Sequence, residues 1–192
     1  MKILFRTLLL SAVITLASCE KDKTSGTEPD STENNGTNGT GGNNNPSLSS
    51  TIVGSWEMTS FEQKDGKITY NGTPYATFST VGKDFKGTLD FKNDGSTVGN
   101  LGYTFTMTTA MTGLPAQTQT STIPQTATSG TYQVVSNTEI KTNGVDGTTI
   151  DVTVSDMTAS TMTWTFPVTQ STTQAGITST TSCDVVMKLK KK

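Results

Sequence analysis

The 192-residue chain contains no histidine, only two cysteines and a single arginine, Arg6. Histidine is the side chain that ordinarily titrates near neutral pH, and arginine is the planar donor that clamps carboxylates and phosphates. The chain also lacks a Gly-x-Ser-x-Gly turn, a phosphate-binding glycine loop and the ligand spacing of a zinc site. We therefore expect no enzymatic activity, no cofactor and no metal centre.

Long apolar runs are also missing, apart from a short stretch near the N-terminus. Lys2 and Arg6 precede the apolar residues 8–16, which are too few to span a bilayer, and this order is typical of a secretory signal peptide over residues 1–18. The stretch ends in Leu16-Ala17-Ser18-Cys19, which resembles a bacterial lipobox. That resemblance implies that Cys19 is lipidated and becomes the first mature residue. Because several acyl chains anchor stably, we expect attachment to a membrane, and Glu20 at the next position favours the outer membrane.

Positive charge is scarce once the signal segment is removed. The remaining chain has 12 basic and 16 acidic residues, a net charge of −4. Binding to nucleic acid depends on clustered Lys and Arg that neutralise phosphates. The charge balance therefore argues against a nucleic-acid partner.

Residues 19–50 are dominated by Thr, Ser, Asn and Gly, and Leu48 is their one sizeable apolar residue. Such a composition buries too little surface to offset the entropy of ordering. We expect a disordered linker there, about 30 Å from end to end as a flexible chain. Residues 51–192 then form one folded domain.

Alternation of apolar and polar residues is the main structural signal in this domain. It is clearest in residues 101–107 and 162–168, where one face is aromatic or aliphatic and the other is mostly threonine. Such alternation predicts half-buried β-strands. The strands are separated by dipeptides that tolerate positive φ, as tight hairpin turns require. These dipeptides are Asp65-Gly66, Asn71-Gly72, Asp94-Gly95, Asn143-Gly144 and Asp146-Gly147.

Some segments do not follow the alternation. Phe61 is out of phase with Trp56 and Met58, which indicates a β-bulge near Ser60 or the end of the strand. Residues 70–85 and 108–129 fit either long loops at a barrel mouth or irregular edge strands. With these included, the sequence predicts an all-β, antiparallel up-and-down barrel of about eight to ten short strands after the linker.

Three short motifs resemble the lipocalin-like domain of Bacteroidota lipoproteins. They are Gly54-Ser55-Trp56, the run from Leu89 to Gly95, and Gly130-Thr131-Tyr132. The resemblance covers most of residues 53–189 and implies a small meandering barrel. The Thr-Asp-Tyr motif of transporter lipocalins is absent, as is their late-strand arginine that packs on the first-strand tryptophan.

The large inward residues have two possible roles, core packing or the lining of an apolar pocket. Tyr103, Phe105 and Trp164 are the candidate ligand-binding residues on the second interpretation. Cys183 alternates with apolar residues, so we expect a buried and inert thiol. The acids Glu57, Asp90 and Asp151 and the C-terminal lysines, Lys191 among them, are predicted to face solvent.

Two functions remain open at this point. The first is a binding module at the surface of the outer membrane, whose barrel takes a small apolar or sugar-like ligand. The second is a structural or protein-interaction component of the cell envelope, which the long linker and threonine-rich surface favour. An enzyme remains only if unplaced acids such as Asp84 and Glu139 act in catalysis.

Overall fold

The computed structural model describes residues 47–145 and 147–192. Cys19, the signal segment and most of the predicted linker lie outside the described residues. Within the described part, no helix has the length and apolarity needed to cross a bilayer. The elements are α1 (Leu48–Thr51), β1 (Gly54–Tyr70), β2 (Thr73–Lys86), β3 (Leu89–Phe91), β4 (Ser96–Met111), β5 (Gln117–Ser136), β6 (Glu139–Gly144), β7 (Thr149–Ser155), β8 (Thr161–Gln174) and β9 (Ile177–Lys191).

The strands form one antiparallel sheet that closes into a ring, which confirms the all-β, up-and-down prediction. The first part of β1 pairs with β3 and the rest pairs with β2, and β4 pairs with the same two strands on the other side. Strands β2 and β3 therefore both lie between β1 and β4, one at each end of these longer strands. Pairing of β1 with β9 closes the circle. The strands are longer than predicted, because six of the nine have 14 residues or more.

The wall of the ring is complete at one end only. Strands β6 and β7 have six and seven residues, so they fill the space between β5 and β8 over a short distance. Beyond them, residues 117–129 of β5 pair with β4 alone, and residues 166–174 of β8 pair with β9 alone. We call the part that includes β3, β6 and β7 the closed half, and the part bounded by these two unpaired edges the open half.

The closed half contains the main hydrophobic core. Its fully buried members come from α1 and from six strands, and aromatic rings meet edge to face in its centre, as Phe91 and Trp164 do at 5.5 Å. These members are Leu48, Ile52, Trp56, Met58, Phe91, Ile140, Val152, Val154, Met162, Trp164 and Leu189. Leu48 and Ile52 are completely shielded from solvent, so α1 acts as a plug. The packed domain therefore begins before residue 51, at this helix.

Lys191 is held inside this end of the barrel, so the prediction that it faces solvent is wrong. Its Nζ donates to the Thr51 carbonyl at 2.9 Å and lies 5.4 Å from the centre of the Trp56 ring. The Trp56 indole N–H in turn donates to the Ile52 carbonyl at 2.7 Å. A lysine can bury its aliphatic stem while its ammonium meets a carbonyl and an aromatic face. The last strand thereby fixes the first helix.

The positive-φ dipeptides form turns at some positions and bulges at others. Asn71-Gly72 is the β1–β2 turn, and Gly95 lies in the β3–β4 turn, as predicted. Asp65-Gly66 was predicted as a turn and is instead a bulge within β1, where the register with both β2 and β9 shifts. A bulge uses the same positive φ as a turn, so the dipeptide alone does not separate the two. The predicted bulge near Ser60 is confirmed by a register shift between Met58 and Ser60.

The close approach of the backbone at Gly87 to Asn100 can be tested by substitution. Its φ is +83°, and a Cβ built there would lie 1.4 Å from the Asn100 carbonyl oxygen. Gly72 has nearly the same φ, +80°, with no atom near its Cβ position. We expect Gly87→Ala to lower the free energy of unfolding by well over the roughly 1–2 kcal/mol of left-handed strain that Gly72→Ala shows. Urea denaturation followed by circular dichroism measures both, and equal losses would contradict the close approach of residues 87 and 100.

Candidate functional site

Charged residues are absent from the segments that build most of the open half. Residues 68–82, 95–138 and 157–183 contain no Asp, Glu, Lys or Arg. These segments supply both unpaired edges and the three hairpins at the open end. Charged residues make up 16% of the whole chain, and all of them lie outside these three segments. The surface that these segments form, including all three hairpins, therefore carries no charged side chain.

The three hairpins at the end of the open half form a mouth lined by apolar side chains. The β1–β2 and β8–β9 hairpins are tied together by Asn71, whose N–H donates to the Thr178 carbonyl and whose Oδ1 accepts from the Thr178 N–H, both at 2.8 Å. The β4–β5 hairpin lies at the same end, because Met111 at the end of β4 pairs with Ala76 of β2. We define the mouth by Tyr70, Tyr75, Met111, Leu114 and Ile177.

Several mouth residues are exposed to a degree that is unusual for large apolar side chains. Tyr75, Leu114 and Ile177 are 42, 59 and 53% exposed. The Tyr70 and Tyr75 rings pack edge to face at 4.8 Å. Partial burial, followed by the neighbouring Tyr75, raises the pKa of Tyr70, so its hydroxyl stays neutral at physiological pH. An apolar, uncharged surface of this kind is the usual starting point of a ligand site.

Below the mouth lies an apolar floor, which is already packed by side chains. Its buried members are Phe78, Cys183 and Val185, and partly buried residues such as Met107 and Phe166 pack against them. The predicted burial of Cys183 is confirmed. Burial, and then the charge of Asp184, raise the pKa of its thiol, which keeps it protonated and unreactive.

One polar group lies within this floor without a partner. Thr80 is 2% exposed and pairs in register with Gln63 on one side and Met107 on the other, so it is on the inward face. Its Oγ1 has no hydrogen-bond partner among the described residues. A buried hydroxyl without a partner is unfavourable. The Thr80 hydroxyl therefore faces the interior with its capacity to donate and to accept a hydrogen bond unused by the described residues.

The three candidate ligand-binding residues do not form a single cluster. Trp164 is 6% exposed in the closed-half core, where its indole N–H points to the Met162 sulfur at 3.3 Å. Tyr103 and Phe105 are half-buried neighbours on β4, with ring centres 6.3 Å apart. Burial raises the pKa of Tyr103 to about 12. Of the three, Phe105 lies nearest in sequence and register to the mouth.

The acidic residues do not converge on a common point. Glu57 and Asp151 lie on the outer face as predicted and pair with Lys192 and Lys141 at 3.7 and 3.5 Å. Asp90 differs from the prediction, because β3 lies between β1 and β4 and one of its carboxylate oxygens is buried without a partner among the described residues.

The two unplaced acids are both exposed. Asp84 lies at a bulge in β2 with φ +55°, and Glu139 begins β6. No group of three potential metal ligands occurs among the described residues.

Two shallow grooves, of about 420 and 350 Å³, lie on the outer face of the barrel. The larger is bordered by Asp84, Lys86, the threonine pair Thr104 and Thr122, and the candidate ligand-binding residue Tyr103. Residues of β1, β2 and β4 border the smaller, among them the exposed Lys67 and the buried Phe78. Both are open to solvent, and charged residues, Asp84 and Lys86 in one and Asp65 and Lys67 in the other, border them beside apolar residues. We place the candidate site at the mouth, where the exposed apolar residues Tyr75, Leu114 and Ile177 lie in segments without charged residues.

Comparison of the chain with protein-family models, with curated proteins and with solved structures gives no match.

Proposed function

We propose that this protein is a lipid-anchored, non-catalytic binding module of the bacterial outer membrane, whose barrel mouth binds an uncharged small molecule with an apolar face. The observation that carries the proposal is the neutral mouth with its exposed apolar residues. The lipobox-like residues 16–19 support the anchor, and the composition of the linker supports a domain held away from the lipid headgroups.

Charge is the strongest guide to the ligand. Binding a charged group in an apolar site requires an opposite charge or dense hydrogen bonding, because desolvation is expensive. The mouth and its hairpins have neither Lys, Arg, Asp nor Glu. A tyrosine ring offers an apolar face to an aliphatic chain or to the apolar face of a sugar, and its hydroxyl can hydrogen-bond. The glutamines near the rim, Gln117 and Gln174, would hydrogen-bond neutral polar groups.

The proposed relationship to lipocalin-like domains gains support from the contact at the closed end. Transporter lipocalins pack a late-strand arginine on the first-strand tryptophan, and here Lys191 of the last strand packs on Trp56 of the first. A cation at this place stabilises the closed end of a barrel whether it is lysine or arginine. The open end then remains free to vary with the ligand.

Fluorescence of N-phenyl-1-naphthylamine, an uncharged apolar probe, tests the proposal. We use the full chain with Cys19→Ser, so that no detergent competes for the probe. We expect enhanced fluorescence on binding and an affinity reduced about tenfold in Tyr75→Ala, since loss of one aromatic contact costs roughly 1.4 kcal/mol. Tyr75→Phe keeps the ring and should retain most of the affinity.

The matched control is Val81→Ala, which shortens a more exposed apolar residue on the outer face, 59% accessible and away from the mouth. Its affinity for the probe should change less than twofold. Absence of any fluorescence change with the unaltered mouth, or equal losses in Tyr75→Ala and Val81→Ala, would contradict a site at the mouth.

A further inference from the structure

Strand β5 has a long edge that no described residue covers. Residues 117–129 pair with β4 on one side only, because β6 begins to pair at Gly130. Proteins usually protect such edges with charges, prolines or covering elements, since unpaired N–H and C=O groups recruit other strands. This edge has no charged residue. Pro124 is its one proline and leaves residues 117–123 as an uninterrupted stretch.

The outer face of this edge strand repeats threonine at every second position. Thr118, Thr120 and Thr122 pair across the strands with Thr108, Thr106 and Thr104. Their hydroxyls are 3.5, 3.0 and 3.1 Å apart and form a ladder of hydrogen bonds. Cross-strand threonine pairs of this kind stabilise antiparallel sheets.

The stretch is complementary to itself. When two copies of residues 117–123 are set antiparallel and centred on Thr120, Thr118 of each lies opposite Thr122 of the other. On the inward face Gln119 then lies opposite Ser121 and Gln117 opposite Ile123, so no charged side chain is involved and every opposed residue except Ile123 is polar. We propose that a second copy of this chain pairs along β5 in this register, which extends the threonine ladder from two strands to four and forms a two-fold symmetric dimer.

A second copy is favoured over a different partner by this symmetry and by charge. Two like copies repel each other when an edge carries net charge, and here the edge carries none. The other unpaired edge, residues 166–174 of β8, is shorter by four residues and contains Pro167 near its start. Its ladder has two hydroxyl pairs, formed by Ser171 and Thr173 with β9. The β5 edge is therefore the stronger candidate.

Site-specific disulfide formation tests the register in the full chain, in membranes of expressing cells. Directly opposed residues in antiparallel strands have Cα atoms about 4.5–5.5 Å apart, within the range of a disulfide. Under mild oxidation, Thr120→Cys should give a crosslinked dimer. Thr118→Cys alone should not, because its two copies would be about 13 Å apart along the strands. Co-expression of Thr118→Cys and Thr122→Cys chains should restore the crosslink.

The unaltered protein and Ser171→Cys are the controls, and neither should crosslink, since Cys183 is 7% exposed and the β8 edge is not the proposed interface. A crosslink at position 171 in place of 120, equal crosslinking at 118 and 120, or an adduct with another protein would overturn the proposal. So would a protein that stays monomeric. Thr120→Lys places like charges opposite each other and should weaken self-association at least tenfold in sedimentation, with an unchanged circular dichroism spectrum.

Discussion

Replacement of Trp56 with alanine is expected to lower the free energy of unfolding by about 4 kcal/mol, which is a large part of the stability of a domain of this size. Trp56 is completely buried in the closed half. It also anchors two contacts to the N-terminal helix, directly through Ile52 and indirectly through Lys191. Urea denaturation followed by the remaining tryptophan, Trp164, measures the loss.

Two further variants separate the contributions of this site. Trp56→Phe keeps an aromatic ring and removes the indole N–H, so about half of the loss should remain. Lys191→Met keeps the aliphatic stem and removes the ammonium, and its effect should be non-additive with that of Trp56→Phe because the two groups touch. A loss below about 1 kcal/mol in Trp56→Ala would contradict the packing of the closed half.

Cys19→Ser is expected to move the protein entirely from the membrane fraction to the soluble fraction. Serine cannot receive the thioether-linked lipid, and without acyl chains the mature chain has only a polar linker at its N-terminus. Metabolic labelling with palmitate, followed by fractionation, measures both the modification and the attachment. Incorporation of label should fall to background.

Cys183→Ser is the control, because it removes the other cysteine and leaves the proposed anchor in place. Label and membrane attachment should both persist in this variant. If Cys19→Ser remained in the membrane with its label, the protein would be attached in another way and the proposed location would have to be abandoned.

The alternation of side chains was enough to predict strands wherever a strand buries one face. It predicts β8 correctly as a strand, with Met162 and Trp164 buried, although Thr163 between them is buried as well. It fails in residues 108–129, because the inward residues of β5 there include Gln117, Gln119 and Ser121. This part of β5 lies at the unpaired edge, where nothing requires an apolar inward face. Both alternatives for residues 70–85, a long loop and an edge strand, are wrong for residues 73–85, which belong to β2 and are paired on both sides.

Other features depended on contacts between distant residues, which the sequence does not display. Asp65-Gly66 has the composition of a turn, and only the pairing of β1 with both β2 and β9 shows that the chain continues straight through it. Lys191 belongs to a run of C-terminal lysines, and only the closure of the ring places it beside Trp56. The mouth could have been found from charge, because all three of its hairpins fall in segments without charged residues.

The length of the β6–β7 hairpin determines how far the gap between the unpaired edges of β5 and β8 extends along the side of the barrel. Each residue added to both arms would extend the seam by about 3.3 Å. In the register that pairs Thr153 with Thr165, an arm longer by about five residues would come level with Gln174 at the tip of β8. Such an insertion alters one surface turn and no other strand, and surface turns are where chains tolerate insertions best. The aperture of this barrel is therefore set by the length of a single loop.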